Sequence, residues 1–182
     1  KLQTEAIRLD PESGFAYGQR GYAYNRTGEH HKAIENLTES IRLSPEDQSF
    51  YILRAGSYNE LGEYQKAIDD ATEAIKLDPE SRFAFVRRFF SYYQTGEYQK
   101  ALEYLTESLR ISPEDGWTYG QRAVSYNELG EYQKAVEDLT VLIRIDPTGI
   151  WAYNQRAYAY NELEEYQMAI EDATEAIGLD PE

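Results

Sequence analysis

The sequence predicts an all-α fold of tandem helix–turn–helix repeats, and three observations carry that expectation. The six prolines, Pro11, Pro45, Pro79, Pro113, Pro147 and Pro181, recur every 34 residues without exception. Four glycines, Gly28, Gly62, Gly96 and Gly130, share one phase of the same period. Alanine holds another phase in every repeat, at Ala33, Ala67, Ala101, Ala135 and Ala169. A fixed period of this length marks a stacked array in which each repeat is one supersecondary unit.

Each repeat is numbered from Gly14, Gln48, Arg82, Gly116 and Ile150. Position 34 of the preceding stretch (Ser13, Asp47, Ser81, Asp115, Gly149) supplies a helix cap, because a short polar side chain or a bare backbone satisfies the first free N–H groups. The first helix then runs to about position 14. Its aromatics at positions 4 and 11 lie on one face, with a mostly small residue at position 8 (Gly21, Ala55, Phe89, Ala123, Ala157) between them. The glycine at position 15 suits a left-handed helix end. The second helix spans about positions 16 to 30. It is small at position 20 and mostly small at 27, and carries Ile or Leu at 28 and 30, before proline at 32 prevents its continuation. Small residues let the two helices approach, and large aromatics fill the remaining space.

Composition narrows the function. Eighteen basic against 33 acidic residues give a net charge of -15 and a pI of about 4.6. That balance argues against nucleic acid and against an anionic membrane surface, both of which need a basic patch. No apolar run is long enough to span a bilayer. No signal peptide opens the sequence, which points to a cytoplasmic location. The start at Lys1 rather than Met points to a processed or excised segment. Cysteine is absent, so no disulfide, thiolate metal site or cysteine nucleophile forms. His30 and His31 are adjacent and do not share a helix face, and no metal is expected. No phosphate-cradling glycine motif occurs, and no cofactor is expected. The paired acids at positions 22 and 23, such as Asp69-Asp70 and Glu171-Asp172, read as a solvated outer face, with Lys66 and Lys134 pairing to acids three or four residues later. The sequons at Asn25 and Asn36 read as chance without a secretory leader.

This pattern resembles the tetratricopeptide repeat family, and the resemblance covers nearly the whole chain. It implies a single array over 1–182: the end of a truncated repeat at 1–13, then repeats at 14–47, 48–81, 82–115, 116–149 and 150–182. It also implies antiparallel helix pairs stacked as a right-handed α-solenoid, with a concave groove that binds extended peptides or partner helices. The invariant arginine at position 7 (Arg20, Arg54, Arg88, Arg122, Arg156) departs from the leucine often found there in the family. Three residues from one aromatic and four from another, it is expected to lie over their rings and pair with acids of the second helix. The competing reading is a ladder for acidic ligands.

In the family, positions 2, 5, 6, 9, 12 and 13 face the groove. The residues this assigns to ligand contact are Arg87, Phe90 and Tyr93 in the third repeat, Trp117, Gln121 and Asn127 in the fourth, and Trp151, Tyr158 and Asn161 in the fifth, with Asn59 in the second. Rings supply contact area and amides hydrogen-bond an extended backbone. For the position-2 aromatics, packing on a neighbouring repeat is the alternative. Arg87 alone matches the pattern by which some members clamp a chaperone-tail carboxylate, so that specialisation is not expected. Phe89 fills a position that is small elsewhere, so Ala101 and Ser108 must make room or the helix pair must open. At the N-terminal end Leu2, Ala6 and Ile7 are expected to present an exposed apolar face.

The function expected is a non-catalytic protein-interaction scaffold whose partner is a basic or amphipathic peptide or helix. Two alternatives stand beside it: a scaffold that self-assembles end to end as a homo-oligomer through its array ends, and the regulatory segment of a larger enzyme.

Overall fold

The computed structural model describes residues 7–180. Leu2, Ala6 and Pro181 lie outside the described residues. After a helical stretch at 7–9 come ten helices: α1 (Gly14–Arg26), α2 (His30–Leu43), α3 (Gln48–Glu60), α4 (Tyr64–Leu77), α5 (Arg82–Gln94), α6 (Tyr98–Ile111), α7 (Gly116–Glu128), α8 (Tyr132–Ile145), α9 (Ile150–Glu162) and α10 (Tyr166–Leu179). No strand occurs among the described residues. Odd-numbered helices have 13 residues and even-numbered ones 14. The architecture is that of an all-helical repeat protein of the α-solenoid class.

The turn inside each repeat follows from its glycine. Gly28, Gly62, Gly96 and Gly130 take φ of 72–77°, a conformation open to glycine without steric cost. Around Gly28 the N–H of Glu29 donates to Tyr24 (2.9 Å) and that of Gly28 to Asn25 (3.2 Å). These two bonds satisfy carbonyls that the helix end would otherwise leave unpaired. The same bonds recur at Gly62 and Gly130. Glu164 makes them too, with φ of 60°. The second helix then starts on an ion pair between a glutamate and a lysine three residues later, Glu29–Lys32 and Glu131–Lys134 at 2.5 Å. Lys66 therefore pairs back to Glu63, and Lys134 to Glu131, correcting the expectation that they pair forward. Among the cap candidates, Ser13 and Asp47 accept backbone N–H bonds from Ala16 and Ser49.

The chain divides into two compact units, Lys1–Gly96 and Glu97–Glu182. The division falls inside the third repeat, the one that carries Phe89 at the usually small position. In the first unit α1 packs on α2, α3 on α4, and α5 on α4, with further contact between successive first helices. The hairpins are antiparallel: Gly14, at the start of α1, meets Ser40 and Leu43 near the end of α2, while Gly21 meets Leu37 and Ala33. Ala33, Leu37, Phe50, Ala55, Ala67, Ala71 and Phe89 form its buried interior. In the second unit α7 pairs with α8 and α9 with α10, and Ala123, Ala135, Leu139 and Ala159 are wholly buried. Leu9, at the N-terminal end, is 71% exposed, and Ile7 is half-buried.

Candidate functional site

Position 7 is a structural brace. Arg54 gives two bonds to the carboxylate of Asp70 (2.8 and 2.7 Å) and a third to the Thr38 hydroxyl (2.9 Å), joining α3 to α4 and to α2. Arg156 does the same with Asp172 and Thr140. Arg122 holds Asp138 with two bonds of 2.7 Å. In the first repeat Arg20 donates to Asn36 (2.7 Å), and Arg88 reaches Thr72 (3.1 Å). Each guanidinium also lies 5.4–6.0 Å from the centre of an aromatic ring of its own helix. The hydrogen bonds that Arg122 and Arg156 donate to Asp138 and Asp172 raise the pKa of both guanidinium groups, against the lowering effect of burial. The acids at positions 22 and 23 therefore separate. Asp69 and Glu171 are exposed, but Asp70, Asp138 and Asp172 are buried as partners of arginine, correcting the expectation of a wholly solvated acidic face.

The asparagines at position 12 lace repeats together. Asn25 donates to the Leu53 carbonyl (3.1 Å) and accepts from the Ser57 hydroxyl (2.6 Å). Asn59 donates to the Arg87 carbonyl (3.2 Å) and accepts from Ser91 (2.7 Å). The amide of Asn59 is committed to its neighbour, and its assignment to ligand contact is revised on that ground. Asn127 is also buried, but neither atom of its amide finds a hydrogen-bond partner. The residue one repeat beyond Ser125, where a serine would answer it, is Ala159. Asn161 is exposed.

Two depressions lie on the first-helix face of the first unit. One, of about 660 Å³, is walled by Phe15, Tyr22, Phe50, Leu53, Phe83 and Arg87. The other, of about 440 Å³, has Arg87 again, with Tyr22, Asn25, His30, Gly56 and Glu60. Positions 2, 6 and 9 recur among these residues. Phe15 and Phe83 are 66% and 69% exposed, so neither ring is spent on packing. Glycines shape the walls. A side chain at Gly18 would strike the ring of Phe50, and one at Gly56 would stand 3.2 Å from the guanidinium carbon of Arg87. Arg87 has no ion-pair partner among the described residues. Burial lowers its pKa, with Glu60 opposing the shift. Phe90 and Tyr93 line neither depression. Phe90 is exposed, and the Tyr93 ring lies 5.8 Å from that of Phe89.

In the second unit a pocket of about 340 Å³ is lined by Trp117, Gly120, Gln121, Leu142, Asp146 and Trp151. Three expected site residues, Trp117, Gln121 and Trp151, are thus brought together. Tyr158 stands apart from them, its ring edge-on to Tyr132 at 6.2 Å. Sequence reasoning missed Glu60, Asp146 and the glycines at position 5. Gly18 and Gly120 were the available signal, since a glycine inside a helical pattern marks a close approach. No cluster of three metal-binding side chains occurs among the described residues, and no helix there is long and apolar enough to cross a membrane.

Models of the tetratricopeptide repeat match residues 19–82, 90–115, 121–149 and 152–182. No curated protein matches the sequence. Among solved structures, the chain is similar to YrrB, described as a TPR protein with an unusual peptide-binding site. That likeness has 19% identity and a TM-score of 0.84, covering 100% of this chain and 94% of YrrB. It is similar also to MamA, with 21% identity and a TM-score of 0.87 over 94% of this chain and 93% of that one. A MamA fragment from Desulfovibrio magneticus RS-1 gives 21% identity and 0.86 over 92% and 95%. At these identities the likeness is one of fold.

Proposed function

Because this chain belongs to the tetratricopeptide repeat family, we propose that it is a non-catalytic protein-interaction scaffold that lays an extended peptide or a partner helix along its first-helix faces. The observation that carries this reading is the set of apolar rings at position 2. Phe15, Phe83, Trp117 and Trp151 are large, at least 44% exposed, and border depressions that also hold amide and charged groups. Rings of this kind bury much area at little entropic cost, and polar neighbours fix the register of a bound backbone. The similarity to YrrB supports the peptide as the ligand form. A net charge of -15 favours a basic or amphipathic partner. A peptide-display selection against the chain tests the reading, with Arg87→Ala/Tyr93→Ala/Trp117→Ala as control. A consensus peptide lost in the control is the expected result. No enrichment, or equal enrichment in the control, overturns it.

A second reading, association between copies, draws on α10, where Ile170 is 59% and Ile177 68% exposed. Sedimentation over a wide concentration range tests it. A monomer throughout removes it, whereas a dimer abolished by Ile170→Glu/Ile177→Glu supports it.

A further inference from the structure

We propose that the pocket between Trp117 and Trp151 receives a cationic side chain, arginine or lysine, from a bound peptide. This rests on the peptide-binding reading above and gives it a chemistry. The chain has two tryptophans, and both line this one cavity. Each is a little under half exposed, Trp117 at 44% and Trp151 at 45%. Gly120 makes room for one of the indoles: a Cβ there would stand 3.2 Å from Cζ3 of Trp151 and 3.4 Å from Cη2. Leu142 closes the far wall, 3.1 Å from where a Cβ of Gly116 would be. At about 340 Å³ the cavity is at the small end of the roughly 300–1,000 Å³ of ligand sites, which suits one long side chain rather than a run of backbone.

The charge pattern selects a cation. Asp146 is the one acid and no base is present among the lining residues. Its Oδ1 accepts from the Thr148 N–H (3.0 Å) and hydroxyl (2.7 Å), which fixes the carboxylate, while Oδ2 accepts from no described residue. An indole face attracts a cation, and tryptophan does so best of the aromatic side chains. A guanidinium adds planar stacking and paired N–H donors for a carboxylate. The positive ends of α7 and α9 lie at this rim, where Asp115 and Asp146 offset them. An anionic side chain would meet Asp146 as a like charge, and an apolar one would gain burial but nothing from the carboxylate.

The two indole N–H signals in the NMR spectrum of the labelled full chain give the readout. The probes are N-acetyl amides of arginine, lysine, norleucine and glutamate at millimolar concentration. Arginine and lysine are expected to move both signals, norleucine to move them clearly less at the same concentration, and glutamate neither. Asp146→Asn is expected to weaken the arginine probe about threefold. Trp151→Leu, which keeps apolar bulk, is expected to weaken it about fivefold on the Trp117 signal. Shifts by norleucine equal to those by arginine overturn the proposal, as does the absence of any shift with the cations. The groove reading fails separately. Selected peptides that bind without a basic residue overturn only the cation slot, and cation shifts with no selectable peptide overturn only the groove.

Discussion

In the second, fourth and fifth repeats the arginine at position 7 ties three helices at one point, and its removal separates a brace from a ligand contact. Arg122→Leu leaves Asp138 buried without its counter-ion, a situation that costs about 3 kcal/mol. Urea unfolding should show that loss, and Arg122→Leu/Asp138→Leu should recover most of it. Unchanged stability in the single variant would return position 7 to the ligand reading. Asn127 offers the opposite experiment. At the two junctions of the first unit a serine hydroxyl answers the asparagine, and Ser57 and Ser91 are as deeply buried as Ala159. Ala159→Ser should give Asn127 that donor and raise stability by about 1 kcal/mol in the same assay.

The turn is the element that most sharply reports its own sequence. Glu164 holds the left-handed conformation that glycine supplies in the other four repeats, and a side chain there costs roughly 1–2 kcal/mol. Glu164→Gly should therefore raise the melting temperature, since the backbone bonds of the turn are already in place. Gly62→Ala should lower it. A flat response to both would mean that the turn tolerates side chains freely. The helices were legible to within a residue or so, because proline, glycine and alanine each mark a phase that geometry enforces. The lacing was not. Asn25 and Asn59 find their partners 28 and 32 residues away, on the next first helix. That register depends on how repeats stack, and no property of an isolated asparagine reveals it. Of the rings expected at the candidate site, Trp117 and Trp151 share a pocket, whereas Phe90, Tyr93 and Tyr158 line none of the three depressions, because the phase of a ring on its helix does not say which neighbouring side chains wall a cavity.

At the scale of the molecule, the 34-residue period yields two units, each with its own buried alanine-rich interior. The net charge of -15 belongs to the whole chain and acts before contact. Association of a basic peptide should slow steeply between about 0.02 and 0.2 M salt, because screening shortens the reach of the field. Stopped-flow binding checks this, and a salt-independent rate would show that the net charge does not steer encounter. The division inside the third repeat was not stated by the period, which treats all repeats alike. The sequence signals at that place are Phe89, a large ring at a phase otherwise held by Gly or Ala, and Tyr93, where the other four repeats carry asparagine.

The unanswered amide of Asn127 has a mechanical consequence. Two successive first-helix junctions of the first unit are stitched by an asparagine and a serine, whereas the α7–α9 junction lacks the stitch. Under a pulling force, or in slow exchange of amide hydrogens, the seam between α7 and α9 should yield before the two stitched junctions do, and α9 with α10 would peel away as one piece. Graded yielding of this kind would let the array release one repeat while the stitched junctions hold.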